Sequence, residues 1–188
     1  MFIAVYRSLA LEALITRSLL AAVGLCLGLM PLSAQAAPTQ ADLQVAVVTP
    51  LSFINYESLD FGRIIPANVA GTVIVSTSNV RTATNGIVLV GTNYQVARFA
   101  GRGAQNQRVR IRITPATLTL TGPGPSMTVT NFIIGPDATL QQVGASPNYR
   151  IVPANGIFMF SVGGSLNVGA NQPAGAYSGV FTATLDYQ

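Results

Sequence analysis

The stretch Tyr177-Ser178-Gly179-Val180-Phe181-Thr182-Ala183-Thr184-Leu185-Asp186-Tyr187 decides the fold class. On an extended chain, Tyr177, Gly179, Phe181, Ala183, Leu185 and Tyr187 fall on one side. Ser178, Thr182, Thr184 and Asp186 fall on the other, with Val180 the one large apolar exception. Successive side chains of a β-strand point to opposite faces, so a period of two marks a strand with one face buried. A helix would scatter the same residues around its circumference.

Upstream the same period returns. Residues 107–114 set Val109, Ile111 and Ile113 against Arg108, Arg110 and Arg112. Phe158, Phe160 and Val162 form an inward row that breaks at Gly163-Gly164, as at a bulge, and resumes at Leu166 and Val168. Residues 117–121 and 127–134 flank Gly122-Pro123-Gly124-Pro125, a hairpin connector. Residues 51–56, 59–64 and 71–76 read as further strands, 86–91 as a compact buried strand, and 171–175 as a turn. Helical periodicity is nearly absent. The expectation is an all-β fold, an immunoglobulin-like antiparallel β-sandwich over residues 51–188 that can be one strand short.

The N-terminus obeys different rules. Arg7 and Arg17 accompany a single acid, Glu12, and an uncharged apolar run follows over 19–30, then Pro31-Leu32-Ser33-Ala34-Gln35-Ala36-Ala37. A basic start, a short apolar run, a proline and Ala-x-Ala predict a signal peptide over 1–36, cut between Ala36 and Ala37. A spanning helix needs ~20 apolar residues, and Ser33, Gln35, Thr39 and Gln40 interrupt any longer run. Cys26 follows Leu25 within the apolar run and reads as a small apolar residue of the signal. The chain is therefore expected to be exported through the inner membrane to the periplasm, then the cell surface or the medium, with no membrane span after cleavage.

Cleavage would strip the chain of most reactive chemistry. Of ten basic and six acidic residues, Arg7, Arg17 and Glu12 precede Ala37. Eight arginines and five acids (Asp42, Glu57, Asp60, Asp137, Asp186) remain, with no His, Trp or Lys, and the only cysteine is Cys26. No disulfide can form. A serine or threonine nucleophile lacks a His or Lys base, and zinc or iron lacks its usual ligands. No glycine-rich loop leads into a helix to cradle phosphate. Glu57 and Asp60, the closest pair of acids, read as solvated or turn residues. These absences point to a protein that is not an enzyme and takes no metal or cofactor. A hydrolase would need two of Glu57, Asp60, Asp137 and Asp186 to meet in a cleft.

Two surface features remain open. Arg108, Arg110 and Arg112 would project from one strand face at spacings of roughly 6–7 Å. They suit an acidic partner, an anionic polysaccharide or lipopolysaccharide, or else form a solvated outer face that discourages edge-to-edge aggregation. Stacking aromatics do not interleave with them, and the small net charge argues against nucleic acid as a partner. The second feature is the extension over residues 37–50, where Leu43, Val45 and Val47 alternate with other residues. That short strand either pairs within its own domain or adds to the sheet edge of a neighbour. The second arrangement is heterologous and builds a filament.

Several blocks carry a family resemblance. Leu59-Asp60-Phe61-Gly62-Arg63-Ile64, Gly71-Thr72-Val73, Val162-Gly163-Gly164-Ser165-Leu166-Asn167-Val168 and Gln172-Pro173-Ala174-Gly175-Ala176-Tyr177-Ser178-Gly179-Val180-Phe181 resemble a secreted bacterial family of unknown function, over residues 49–188. The closing strand, with Phe181 and Tyr187, is also similar to chaperone–usher pilins and to the spore-coat U type of pilin-like domain. That resemblance implies a sandwich completed first by a periplasmic chaperone, delivered to an usher, and then completed by a like subunit. It would make Leu43, Val45 and Val47 donor-strand residues, with Tyr177, Phe181, Leu185 and Tyr187 lining the acceptor groove. The sequence lacks the disulfide pair of many pilins, and its extension is short. A self-complete secreted monomer that binds surface glycans through its arginines is the competing expectation.

Overall fold

A computed structural model describes residues 49–145 and 147–188. The expected signal peptide over residues 1–36, its expected cut between Ala36 and Ala37, and the donor candidates Leu43, Val45 and Val47 lie outside the described residues. Within them the secondary structure is all strand, without a helix.

Every strand pairing is antiparallel, and the strands form two main sheets and a small ribbon. The first sheet holds β1 (Ser52–Glu57), β3 (Gly71–Val75), β4 (Arg81–Ala83), β6 (Ala97–Arg102), β8 (Leu118–Leu120), β9 (Met127–Pro136) and β12 (Ile157–Val168). The second runs in the order β10 (Leu140–Gln142), β11 (Asn148–Ile151), β7 (Arg108–Thr114), β13 (Thr182–Tyr187). The ribbon pairs β2 (Arg63–Ile65) with β5 (Val88–Val90). This is the expected antiparallel sandwich, with its first sheet curled.

The curl follows from β12, which is twelve residues long and paired on both flanks. On one flank β9 accompanies it from Phe160 to Asn167. On the other, β6 pairs with Ile157–Val162 and β3 with residues 164–168. Gly163 falls at this change of neighbours, where a Cβ would lie 2.4 Å from the Val75 carbonyl oxygen. The interruption expected at Gly163-Gly164 is present, but the extra residue belongs to β9. Gly163 faces Ile133 and Ser165 faces Thr130, so two steps on β12 meet three on β9. Asn131, at φ 52°, takes up the excess, a conformation asparagine tolerates better than most residues.

The inner faces meet in a core of alternating side chains. Val109 and Ile111 from β7, Tyr149 and Ile151 from β11, and Phe158, Phe160 and Val162 from β12 are buried. Phe99 and Phe160 stack with their centroids 4.8 Å apart. Burying each large apolar side chain contributes about 1.5–3 kcal/mol, which suits a domain held by packing.

Three expected strands are corrected. Residues 59–64 are not one strand. Asp60 bridges to Gln95, its Oδ1 accepts the Gly62 N–H at 2.7 Å, and Gly62 turns at φ 72° before β2 begins. The Arg81 guanidinium occupies the space beside Gly62, donating to the carbonyls of Phe61 (2.9 Å) and Gly91 (2.7 Å) and lying over the Tyr94 ring. The run 86–91 is not a buried strand either. Among the described residues its β5 pairs with β2 alone, and Val88 and Val90 are 53% and 38% exposed. Finally, the long strand over 177–187 is divided, as described next.

Candidate functional site

The segment 177–187 crosses from one sheet to the other. At its start Ser178 and Thr121 exchange backbone hydrogen bonds of 2.9 and 3.0 Å, just beyond the end of β8. Gly179 runs so close to β8 that a Cβ would lie 2.7 Å from the Thr119 carbonyl oxygen. From Thr182 the chain pairs with β7, with Thr182 opposite Thr114 and Tyr187 opposite Val109. Val180, the exception in the sequence pattern, sits at the crossing and is 85% exposed.

β13 is the last strand of its sheet. Among the described residues it pairs with β7 and with no other strand. Its inner row, Ala183, Leu185 and Tyr187, continues from Phe181 just before the strand, and the four side chains pack on the core yet stay only partly buried. Phe181 holds the start of the row, with ring centroids 5.2 Å from Phe132 and 6.5 Å from Phe99. Tyr187 holds its end: the hydroxyl accepts the Ala104 N–H at 2.7 Å and donates to the Thr49 carbonyl at 2.7 Å. The side chains of Leu51, Ile151 and Tyr187 converge over Gly103, where a Cβ would meet all three.

β1, which follows Thr49 and Leu51, is likewise an edge strand, paired with β6 alone among the described residues. Leu51 and Phe53 pack partly buried on the same core cluster as the β13 row. The result is an apolar inner row at each of two sheet edges, tied together where Tyr187 meets Thr49. An edge strand presents unpaired N–H and C=O groups, and such an edge can take another strand.

Of the four candidate groove residues, Phe181, Leu185 and Tyr187 share this row. Tyr177 lies in the other core cluster, its ring against Gly122 and its hydroxyl between the Gln172 side chain (2.9 Å) and the Pro173 carbonyl (3.0 Å). Gln172 also donates to the Pro125 carbonyl at 2.5 Å, so the block 172–177 clamps the loop after β8. Arg108 and Arg112 are exposed and Arg110 partly so, on the outer face of β7. Leu51, Phe53 and the Thr49–Tyr187 bond are parts of the site that the sequence did not single out. The alternation Leu51/Phe53 was a usable signal; the hydrogen bond, between residues far apart in sequence, left none.

The four described acids are dispersed. Glu57 pairs with Arg98 at 3.2 Å, Asp60 caps the Gly62 turn, Asp137 accepts from the backbone N–H of Thr139 and from its hydroxyl, and Asp186 lies on the outer face of β13. Among the described residues no three acids, cysteines or histidines cluster as a metal site. A shallow cleft of about 360 Å³, lined by residues that include Tyr56, Arg98, Asp137 and Ser161, contains one of these acids.

These features define a class: an antiparallel β-sandwich domain whose second sheet ends on a strand with one edge unpaired among the described residues. Residues 51–187 match the family model described as a domain of unknown function, DUF4402, and the chain belongs to that family. No curated protein and no solved structure matches the chain.

Proposed function

We propose that this protein is an exported, non-enzymatic structural or adhesive subunit of the cell surface, pilin-like in that it assembles by strand complementation. Residues 37–50 of one copy supply the strand, and the edge of β13 in the next copy receives it. A periplasmic chaperone would cover that edge before assembly. The observation that carries this reading is the combination at β13 of an edge unpaired among the described residues with a partly buried apolar row. Leu43, Val45 and Val47 have the same period as Ala183, Leu185 and Tyr187, so a donor strand could add apolar contacts beside that row. Backbone hydrogen bonds would give the joint its strength, and the side chains its register. The dispersal of the acids, with Glu57, Asp60 and Asp137 each engaged in a local contact, supports the non-enzymatic part.

Deleting residues 37–48 tests the proposal. The expected outcome is a folded domain that no longer forms multimers in light scattering or filaments in electron micrographs. An undeleted protein that stays a compact monomer of the same size as the deletion variant, with or without a chaperone, contradicts it.

A further inference from the structure

The outer face of the second sheet carries a separate feature. Burial along β7 alternates, so Val109 and Ile111 point inward and Arg108, Arg110 and Arg112 point outward. The register of β11 on β7 sets Arg150 directly opposite Arg108, and Asn148 opposite Arg110. Four of the eight arginines after residue 48 therefore share one sheet face, with Asp186 its only acid.

That arrangement has an electrostatic cost. Like charges placed directly opposite each other on neighbouring strands destabilise the pair. Among the described residues, no ion pair or side-chain hydrogen bond engages any of the four guanidinium groups, and the Arg110 Nε is buried without a partner. Asp186 stands opposite Arg110 in the register, yet the two form no ion pair. A guanidinium offers a planar fork of donors suited to carboxylate and sulfate oxygens, and here four forks stand unengaged.

The sheet fixes the spacing of these charges. Neighbouring arginines along β7 are about 6.7 Å apart, and the Arg108 and Arg150 backbones face each other across about 5 Å. The outward row has no aromatic ring for bases to stack on, since Tyr149 is buried on the inner side. Thr184 and Asn148, the other neighbours of the row, are polar and offer no apolar anchor for a lipid surface. A regular row of cations on a flat polar face fits a polymer with regularly repeated anionic groups.

We propose that this face docks a linear anionic polysaccharide, with one carboxylate or sulfate bridging Arg108 and Arg150 and its neighbours along the polymer meeting Arg110 and Arg112. The bridging anion offsets the repulsion between the two opposed guanidinium groups. The face is turned away from the Leu185 row, so the interaction is independent of strand complementation and survives if complementation fails.

Two double variants of equal charge loss test it, Arg108→Gln with Arg150→Gln, and Arg63→Gln with Arg102→Gln. Arg63 and Arg102 are exposed and lie away from the face. Polygalacturonate and heparin serve as probes, titrated against the purified protein at about 50 mM salt and again at higher salt. The expected result is binding that weakens with salt, a loss of about tenfold or more in the first double and under about threefold in the second. Arg108→Lys with Arg150→Lys, which keeps the charge, should retain most of the salt-dependent affinity. The unfolding midpoint of the first double should match or exceed that of the unsubstituted protein, because removing the opposed charges relieves repulsion. Equal losses in the two Gln doubles, no binding of either polysaccharide at low salt, or equally tight binding of double-stranded DNA would each overturn the proposal.

Discussion

Strands β12 and β13 read alike in the sequence and fare differently in the fold. Both place a row of apolar side chains at every second position, and both send aromatic side chains inward, although β12 also carries apolar Ile157 and Met159 on its outer side. In β12, Val162 is fully buried and Phe160 nearly so where β9 lies on one flank and β6 on the other. Phe158, before the reach of β9, is fully buried with its ring over Gly101 of β6. In β13, the inner row stays partly buried, because among the described residues β7 is its only neighbour. The period of two therefore reports which face of a strand points inward; what packs beside and over that face decides how completely it is covered.

Substitutions on the two strands should separate accordingly. Phe158 is fully buried, and its ring lies over Gly101 on the facing strand, where no side chain competes for the space. Phe158→Ala should give the largest effect, a loss of about 3–5 kcal/mol in urea unfolding, enough to leave much of the protein unfolded. Leu185→Ala should cost only about 1–2 kcal/mol in the isolated domain, because part of that side chain already meets solvent. It should nevertheless reduce multimer formation, since it removes an apolar contact from the edge. Equal destabilisation by the two substitutions would dissolve the distinction between the strands.

Much of this contrast was legible in the sequence. The period of two over 107–114 and 181–187 gave the inward and outward faces of β7 and β13 correctly, since apolar and charged residues cannot exchange sides without burying arginine. Val180 broke the pattern, and the chain there leaves one sheet for the other. The bulge on β9 also left a trace: Met127 and Val129 point inward at odd positions, Phe132 and Ile134 at even ones, and Asn131 absorbs the change of phase.

Other features were hidden because they depend on partners distant in the chain. The run 86–91 reads as buried strand, but apolar character does not reveal that, among the described residues, β5 pairs with β2 alone. The role of Gly62 depends on Arg81, whose guanidinium fills the space beside it and binds two carbonyls. Arg150 joins the β7 arginines only through the register of β11, a strand too short to advertise itself. At the candidate site, the row itself was readable, whereas its side left unpaired among the described residues and the Thr49–Tyr187 hydrogen bond came only with the fold.

The most direct test of strand complementation at β13 places one cysteine on each proposed partner, Val45→Cys and Leu185→Cys, in a Cys26→Ser background that removes the only native thiol. Oxidation of exported protein followed by denaturing electrophoresis without reductant reads the connection. A ladder of covalent multimers that collapses to monomer on reduction is the expected result. A single monomeric band whose cysteines have joined within one chain, or have not joined at all, would contradict a donor strand passing between copies.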